Sequence, residues 1–330
     1  MSRERGYARP DQIGRSTDQI GRCGPSHGVG QTVPVSSAPV PTLSALVLPD
    51  RHPVSTFVAE VQDAERFGVR AVFTYDHLTW PLLADGPWYG AVPLLAAAAA
   101  ATDRVRLGTQ VASPNFRHPV PFATELVTLD QLSGGRLELG VGAGTESLDA
   151  KVLGDPPLSR PERMTRFEEW LTLLDQLLRE PVVTVHGERY TAIDAHQLPG
   201  CVQTPRLPFT VAATGPRALR LAARLGQRWV TYGPYGADVE PEAWFAAVAE
   251  QSARLTDALA EDGREPSSMR RSAQLGLETY WPFESRERYA DTLGRLTEAG
   301  IDEVSVHWPR PDGRGVPTAA LPVLAEAHGL

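Results

Sequence analysis

The chain has 330 residues, 42% hydrophobic and 22% charged, which is enough apolar content for one large α/β domain or two ordinary ones. A net charge of −8, a pI near 5.5 and a single lysine, Lys151, leave no basic stripe to neutralise phosphates, so nucleic acid is excluded as the main partner. Cys23 and Cys201 match no metal or redox spacing, the apolar run 91–101 is too short to cross a bilayer, and no signal-peptide core is visible, so a location in the reducing cytoplasm and no membrane partner are expected.

Residues 1–40 are rich in Gly, Ser, Pro and Arg, lack an apolar period and repeat the pentapeptide Asp-Gln-Ile-Gly-Arg at 11–15 and 18–22. Such a segment buries too little apolar area to offset its ordering entropy, and it is expected to be a disordered tail ahead of a single domain, 41–330. A chain beginning at Pro41 is therefore expected to keep its cofactor affinity and melting temperature. A clear loss of either would show that the tail packs on the domain.

From Ser44 onward short apolar runs alternate with amphipathic stretches. Strands are expected at 45–48, 71–74, 105–111, 137–141, 209–213, 228–232, 273–278 and 302–307, apolar on both faces as buried parallel strands are. Helices are expected at 54–67, 89–101, 119–132, 161–178, 217–225, 241–260, 286–299 and 318–328, with Gly68 and Gly300 as C-terminal caps. Eight strands alternating with eight helices predict a (β/α)8 TIM barrel, with a doubly wound open sheet as the alternative. The period breaks at 181–191, a hairpin pattern turning at Gly187, followed by a linker through Pro199, Pro205 and Pro208. This is an insertion before the fifth barrel strand.

Residues 71–77, Ala-Val-Phe-Thr-Tyr-Asp-His, carry the sharpest chemistry. A buried strand ending at Asp76-His77 places an acceptor and a proton-transfer group at the strand's carboxyl end, where α/β folds gather ligands, although such a pair could also merely cap the next helix. His307 closes a strand too, but no carboxylate precedes it. Gly140, Gly142 and Gly144 end the fourth strand and would let backbone approach a flat or anionic ligand, or simply relieve crowding at a barrel end; they lack the spacing and the acidic residue of a dinucleotide fingerprint. Ala213-Thr214-Gly215-Pro216 ends another strand, where the free amides of a helix N-terminus and a hydroxyl would form an anion cradle, unless the segment is a plain strand-to-helix turn. Arg117-His118 could contact substrate, but reads first as a solvated pair, the default state of exposed arginine. No Ser-His-Asp, Cys-His or HExxH arrangement is present, so hydrolase and metal readings have no support.

In order, Asp76-His77, Leu107-Gly-Thr-Gln-Val, His118-Pro-Val, the block from Leu129 to Gly144, Gly187-Glu-Arg-Tyr and Ala213-Thr-Gly-Pro resemble the bacterial luciferase-like monooxygenase superfamily from about Ser44 to the C-terminus. The Asp-His pair and the Ser-Pro-Asn-Phe-Arg loop are most similar to the branch using the deazaflavin coenzyme F420, which includes glucose-6-phosphate dehydrogenases. The resemblance implies a barrel that holds F420 at its C-terminal face, with FMN as the alternative. Asp76 would contact the ring system, and His77, with Trp80 nearby, would serve catalysis beside the hydride-bearing carbon. Gln110 and Val111 would form a non-prolyl cis peptide backing the ring. Gly142, Ala143 and Gly144 would line the cofactor's chain, and Ala213, Thr214 and Gly215 would hold its phosphate. The sugar-phosphate dehydrogenases carry a glutamate where this chain has Thr145, with Glu146 one residue later, which weighs against a sugar phosphate. With F420 the expected reaction is hydride transfer to or from a small-molecule substrate; with FMN it is oxygenation by reduced flavin and O2. A barrel that binds flavin without turnover is the remaining reading. A homodimer is the expected assembly.

Overall fold

The computed structural model of the chain describes residues 39–145, 148–234, 239–275, 280–310, 312–313 and 315–330. In chain order the strands are β1 (Thr42–Leu46), β2 (Ala71–Thr74), β3 (Arg106–Ala112), β4 (Leu137–Val141), β5 (Val182–His186), β6 (Thr191–His196), β7 (Phe209–Ala212), β8 (Arg228–Thr231), β9 (Arg270–Leu275) and β10 (Glu303–His307). The helices are α1 (Ser55–Phe67), α2 (Ala91–Ala101), α3 (Pro119–Leu132), α4 (Leu148–Leu153), α5 (Arg160–Arg179), α6 (Pro216–Leu225), α7 (Pro241–Glu261), α8 (Arg286–Glu298) and α9 (Leu321–His328). Eight parallel strands close a barrel in the order β1-β2-β3-β4-β7-β8-β9-β10, with β10 returning to β1. The TIM-barrel expectation holds, and the open sheet is excluded. Every residue of β2, β4, β8 and β10 is buried, as strands between a packed interior and a helical layer must be.

The insertion is the expected hairpin. β5 and β6 pair only with each other, and the Glu169 carboxylate of α5 accepts the Arg189 and Tyr190 amides at 2.8 and 2.9 Å, tying the turn to the barrel's helical layer. Gly68 and Gly300 adopt φ of +104° and +77°, the left-handed caps expected after α1 and α8.

Some boundaries differ from the sequence reading. β1 starts at Thr42, not residue 45, because its pairing with β10 runs from Thr42 opposite Glu303 to Leu46 opposite His307. β9 starts at Arg270, not 273; the Arg271 guanidinium leaves the strand to reach the Ser252 carbonyl, the Ser252 hydroxyl and Thr256 on α7. The expected end of that strand, 276–278, lies outside the described residues, as do Glu146 and 1–38 of the tail. α2 starts at Ala91, not 89, because the Tyr89 amide bonds back to the Pro49 carbonyl at 2.8 Å. α4 was not expected at all.

The floor of the barrel, at the strands' N-terminal ends, is charged. Arg70 donates to both Glu138 and Glu303, Arg106 bonds Glu138 at 2.5 Å, Arg228 pairs with Glu303, and Ser44 donates to Glu303 at 2.9 Å. Burial alone would raise the Glu138 carboxyl, but the hydrogen bonds and charge of Arg70, with Arg228 and Arg106, outweigh it and hold the pKa at about 2.

Nearer the mouth, polar side chains cross the interior. Gln110 on β3 donates to Gln274 on β9 at 2.6 Å and to Ser305 on β10 at 3.0 Å. Gln274 reaches the Tyr75 hydroxyl at 3.3 Å, and that hydroxyl lies 2.9 Å from His307 Nε2. Burial pushes Tyr75 up to about 12 and His307 down to about 4, so both are neutral members of the packed interior at neutral pH.

Candidate active site

The residues singled out at strand ends all gather at one mouth. His77 follows β2, Gly142 to Gly144 follow β4, Ala213 to Gly215 follow β7, and the Gln110–Val111 peptide near the end of β3 is cis, with a register shift against β4 between Thr109 and Ala112. Parallel strands all point their carboxyl ends the same way, which is why residues far apart in sequence converge. Val111 packs close to Gly142: a Cβ there would lie 3.0 Å from a Val111 methyl and 3.6 Å from the Ala212 side chain. At Gly144, whose φ is +73°, a Cβ would stand 2.6 Å from the Asn115 amide oxygen, so only glycine fits.

His77 is half-buried and held from several sides. Its Nδ1 lies 2.8 Å from Oδ2 of Asp149, the Trp88 indole donates to its carbonyl at 2.8 Å, and the Trp80 ring sits 4.9 Å away, tilted 44°. Tyr75 presents its ring edge-on to His77 at 6.3 Å and packs against Trp80 at 5.2 Å. Trp80 Nε1 is buried with no hydrogen-bond partner among the described residues.

The carboxylate beside His77 in space is therefore Asp149 and not its chain neighbour. Asp76, 1% exposed, has both oxygens clasped by Arg117, at 2.7 Å from Nη2 and 3.0 Å from Nε. Arg117 also pairs with Glu125 and lies over the Phe116 and Phe122 rings at 4.9 and 4.8 Å. It is thus no member of a solvated pair, a correction to the sequence reading. Burial draws its pKa down, but Asp76, with Glu125, outweighs this and raises it. His118 caps α3 by accepting the Val120 amide at 3.3 Å. Gln110 spends its side chain in the interior network, so its backbone alone is left to border the mouth. Thr214 and Gly215 are exposed at the start of α6, with open space where a Gly215 Cβ would be. His307, which also closes a strand, is interior, with Nε2 2.9 Å from the Tyr75 hydroxyl.

Asp149 was missed because its signal is weak: an aspartate in a six-residue helix, 72 positions from its histidine. An aspartate shortly after a glycine-rich strand end is the only local hint. Among the described residues no cluster of three or more His, Cys, Asp or Glu side chains could hold a metal, and no helix is long and apolar enough to cross a membrane.

The fold is a closed (β/α)8 barrel with an imidazole, an indole and glycine-lined strand ends at the carboxyl end of its strands. Residues 35–290 match the model of the luciferase-like monooxygenase family, and the chain belongs to that family. Over 201 residues it is 39% identical to an F420-dependent glucose-6-phosphate dehydrogenase of Beutenbergia cavernae, covering 60% of this chain and 58% of that one. An F420-dependent hydroxymycolic acid dehydrogenase of Mycobacterium tuberculosis is 29% identical over 289 residues, 84% of this chain and 75% of that one. The F420-dependent tetrahydromethanopterin reductase of Methanopyrus kandleri has a TM-score of 0.68 at 19% identity, covering 88% of this chain and 98% of that one, and shows the shared barrel. The chain's matches span 49% to 58% of the length of the first few curated relatives.

Proposed function

We propose that the protein is an oxidoreductase that transfers hydride between coenzyme F420 and a small organic substrate, with His77 as the proton-transfer group. The observation that carries this reading is the His77 imidazole, braced on a buried carboxylate and set against an indole whose N–H has no partner among the described residues. The residues present fit a flat ring with an anionic tail. Trp80 Nε1 offers a free donor, the Gly142 to Gly144 backbone offers a surface without side chains, and the N-terminus of α6 offers open amides beside the Thr214 hydroxyl. The names of the similar dehydrogenases support the deazaflavin.

When bound, the deazaflavin supplies hydride transfer without oxygen activation. The chain's own part is to hold the reactants in register and to manage the proton. Trp80 and Tyr75 wall one side of the imidazole and restrict water there. His77, at the edge of this aromatic wall, can take a proton from an alcohol or return one to a carbonyl. Thr145 stands where the sugar-phosphate dehydrogenases have a glutamate, so a substrate other than a sugar phosphate is favoured.

Titrating the purified protein with F420 and with FMN, followed by fluorescence, tests the assignment. Tighter binding of F420 is expected. Tighter binding of FMN by roughly tenfold, about 1.4 kcal/mol, would overturn it in favour of a monooxygenase. The same reading takes the protein as a homodimer acting in the cytoplasm; the sparse cysteines support the compartment, and the mass of the particle in solution tests the assembly.

A further inference from the structure

We infer that Asp149 is the positioning residue that decides which nitrogen of His77 reacts: it keeps a proton on Nδ1 and leaves Nε2 as the basic nitrogen. This rests on His77 being the proton-transfer group proposed above. The Asp149 side chain is fully buried, and its two oxygens have different tasks. Oδ1 accepts the Leu78 amide at 2.7 Å, and Oδ2 stands 2.8 Å from His77 Nδ1. An ionised carboxylate can only accept hydrogen bonds. A neutral imidazole facing it must therefore carry its hydrogen on Nδ1, and the tautomer is set by the partner of the nitrogen that does not react.

No other described neighbour of His77 can do this. Asp76 is committed to Arg117 through both oxygens. Trp88 donates to the His77 carbonyl, and Trp80 and Tyr75 touch the ring through their aromatic surfaces. The Leu78 amide matters as much as the imidazole, because it fixes which way the 149 side chain is turned. In Asp149→Asn the single remaining oxygen is drawn to the Leu78 N–H, and the amide NH2 then points at Nδ1. A donor facing Nδ1 requires Nδ1 to accept, so the hydrogen moves to Nε2 and the basic nitrogen is the wrong one. Asp149 also sits in the first turn of α4, a few residues past Gly144, so the segment that borders the mouth at β4 is the one that delivers the carboxylate to β2's histidine.

The test uses the unliganded full chain labelled with 15N-histidine, at a pH where imidazole is neutral, with the His77 signals identified by their loss in His77→Asn. In the parent, Nδ1 is expected to show the shift of a protonated ring nitrogen and Nε2 that of an unprotonated one. In Asp149→Asn the two shifts are expected to exchange. A parent spectrum with the hydrogen on Nε2 overturns the inference, as does an Asp149→Asn spectrum that keeps the parent pattern. If that variant does not fold, the parent spectrum alone decides. The readout involves neither cofactor nor turnover, so an outcome favouring FMN over F420 leaves it standing, and an exchanged tautomer does not by itself prove hydride transfer.

Discussion

Replacing His77 with asparagine is expected to slow turnover by roughly 10²- to 10⁴-fold, the usual effect of losing a positioned proton-transfer group, while cofactor affinity stays near that of the parent. Asparagine is close in size, and its amide can still donate to Asp149 Oδ2, which lies 2.8 Å from the native Nδ1. The Trp80 and Trp88 contacts should persist, because Trp88 holds the main-chain carbonyl. What is lost is the imidazole that would take and return the substrate's proton. The measurement is a pair: F420 affinity by fluorescence, and the single-turnover rate of hydride transfer with the true substrate. A variant that turns over at the parental rate would make His77 structural and remove the centre of the mechanism.

A second large effect is expected at the opposite end of the barrel. Glu303→Ala should lower the unfolding free energy by about 3–5 kcal/mol, the range for breaking a buried ion pair and leaving its partner charged. Glu303 is 1% exposed, and its loss leaves Arg228 and Arg70 to share Glu138 with Arg106. The same cluster makes stability depend on acid. Glu138 titrates near 2 when folded and at its ordinary 4.5 when unfolded, so the unfolded chain binds the proton more readily. Its stabilisation is complete above about 4.5 and fades as the pH falls through 2; the shift corresponds to about 3 kcal/mol. Urea unfolding followed by tryptophan fluorescence measures both effects. A Glu303→Ala change worth less than about 1 kcal/mol would show that the floor charges are solvated and only weakly coupled.

The barrel was legible in the sequence because buried parallel strands leave short apolar runs between breaks in the chain. Boundaries slipped where strands carry polar residues whose side chains leave the sheet, as Arg271 does toward α7. The block from Leu129 to Gly144, the most specific part of the family resemblance, is largely architecture. Asp130 accepts the Val202 and Gln203 amides and so pins the linker, and Arg136 bonds the carbonyls of Ala99, Thr102, Val105 and Ser133. A family can thus be recognised by residues that never meet a ligand. Within the site, His77 and Trp80 were visible because both lie just past one strand. Asp149 and the Asp76–Arg117 clasp were not, since each is a pairing across the fold, 72 and 41 residues apart, that no local pattern encodes.

The polar crossing from Gln110 through Gln274 to Tyr75 and His307 has an entropic consequence for whatever enters the mouth. Tyr75 is secured at its hydroxyl by two partners from the neighbouring strands β9 and β10, and its ring in turn confines His77 and Trp80. Freezing a mobile side chain at an interface costs about 0.5–1.5 kcal/mol. For these three rings that ordering is complete when the chain folds, so little rotamer freedom remains to be surrendered on binding. Affinity at this mouth is then governed by how well a guest matches a fixed aromatic wall, and a poorly matched ring gains nothing from rearrangement of its host.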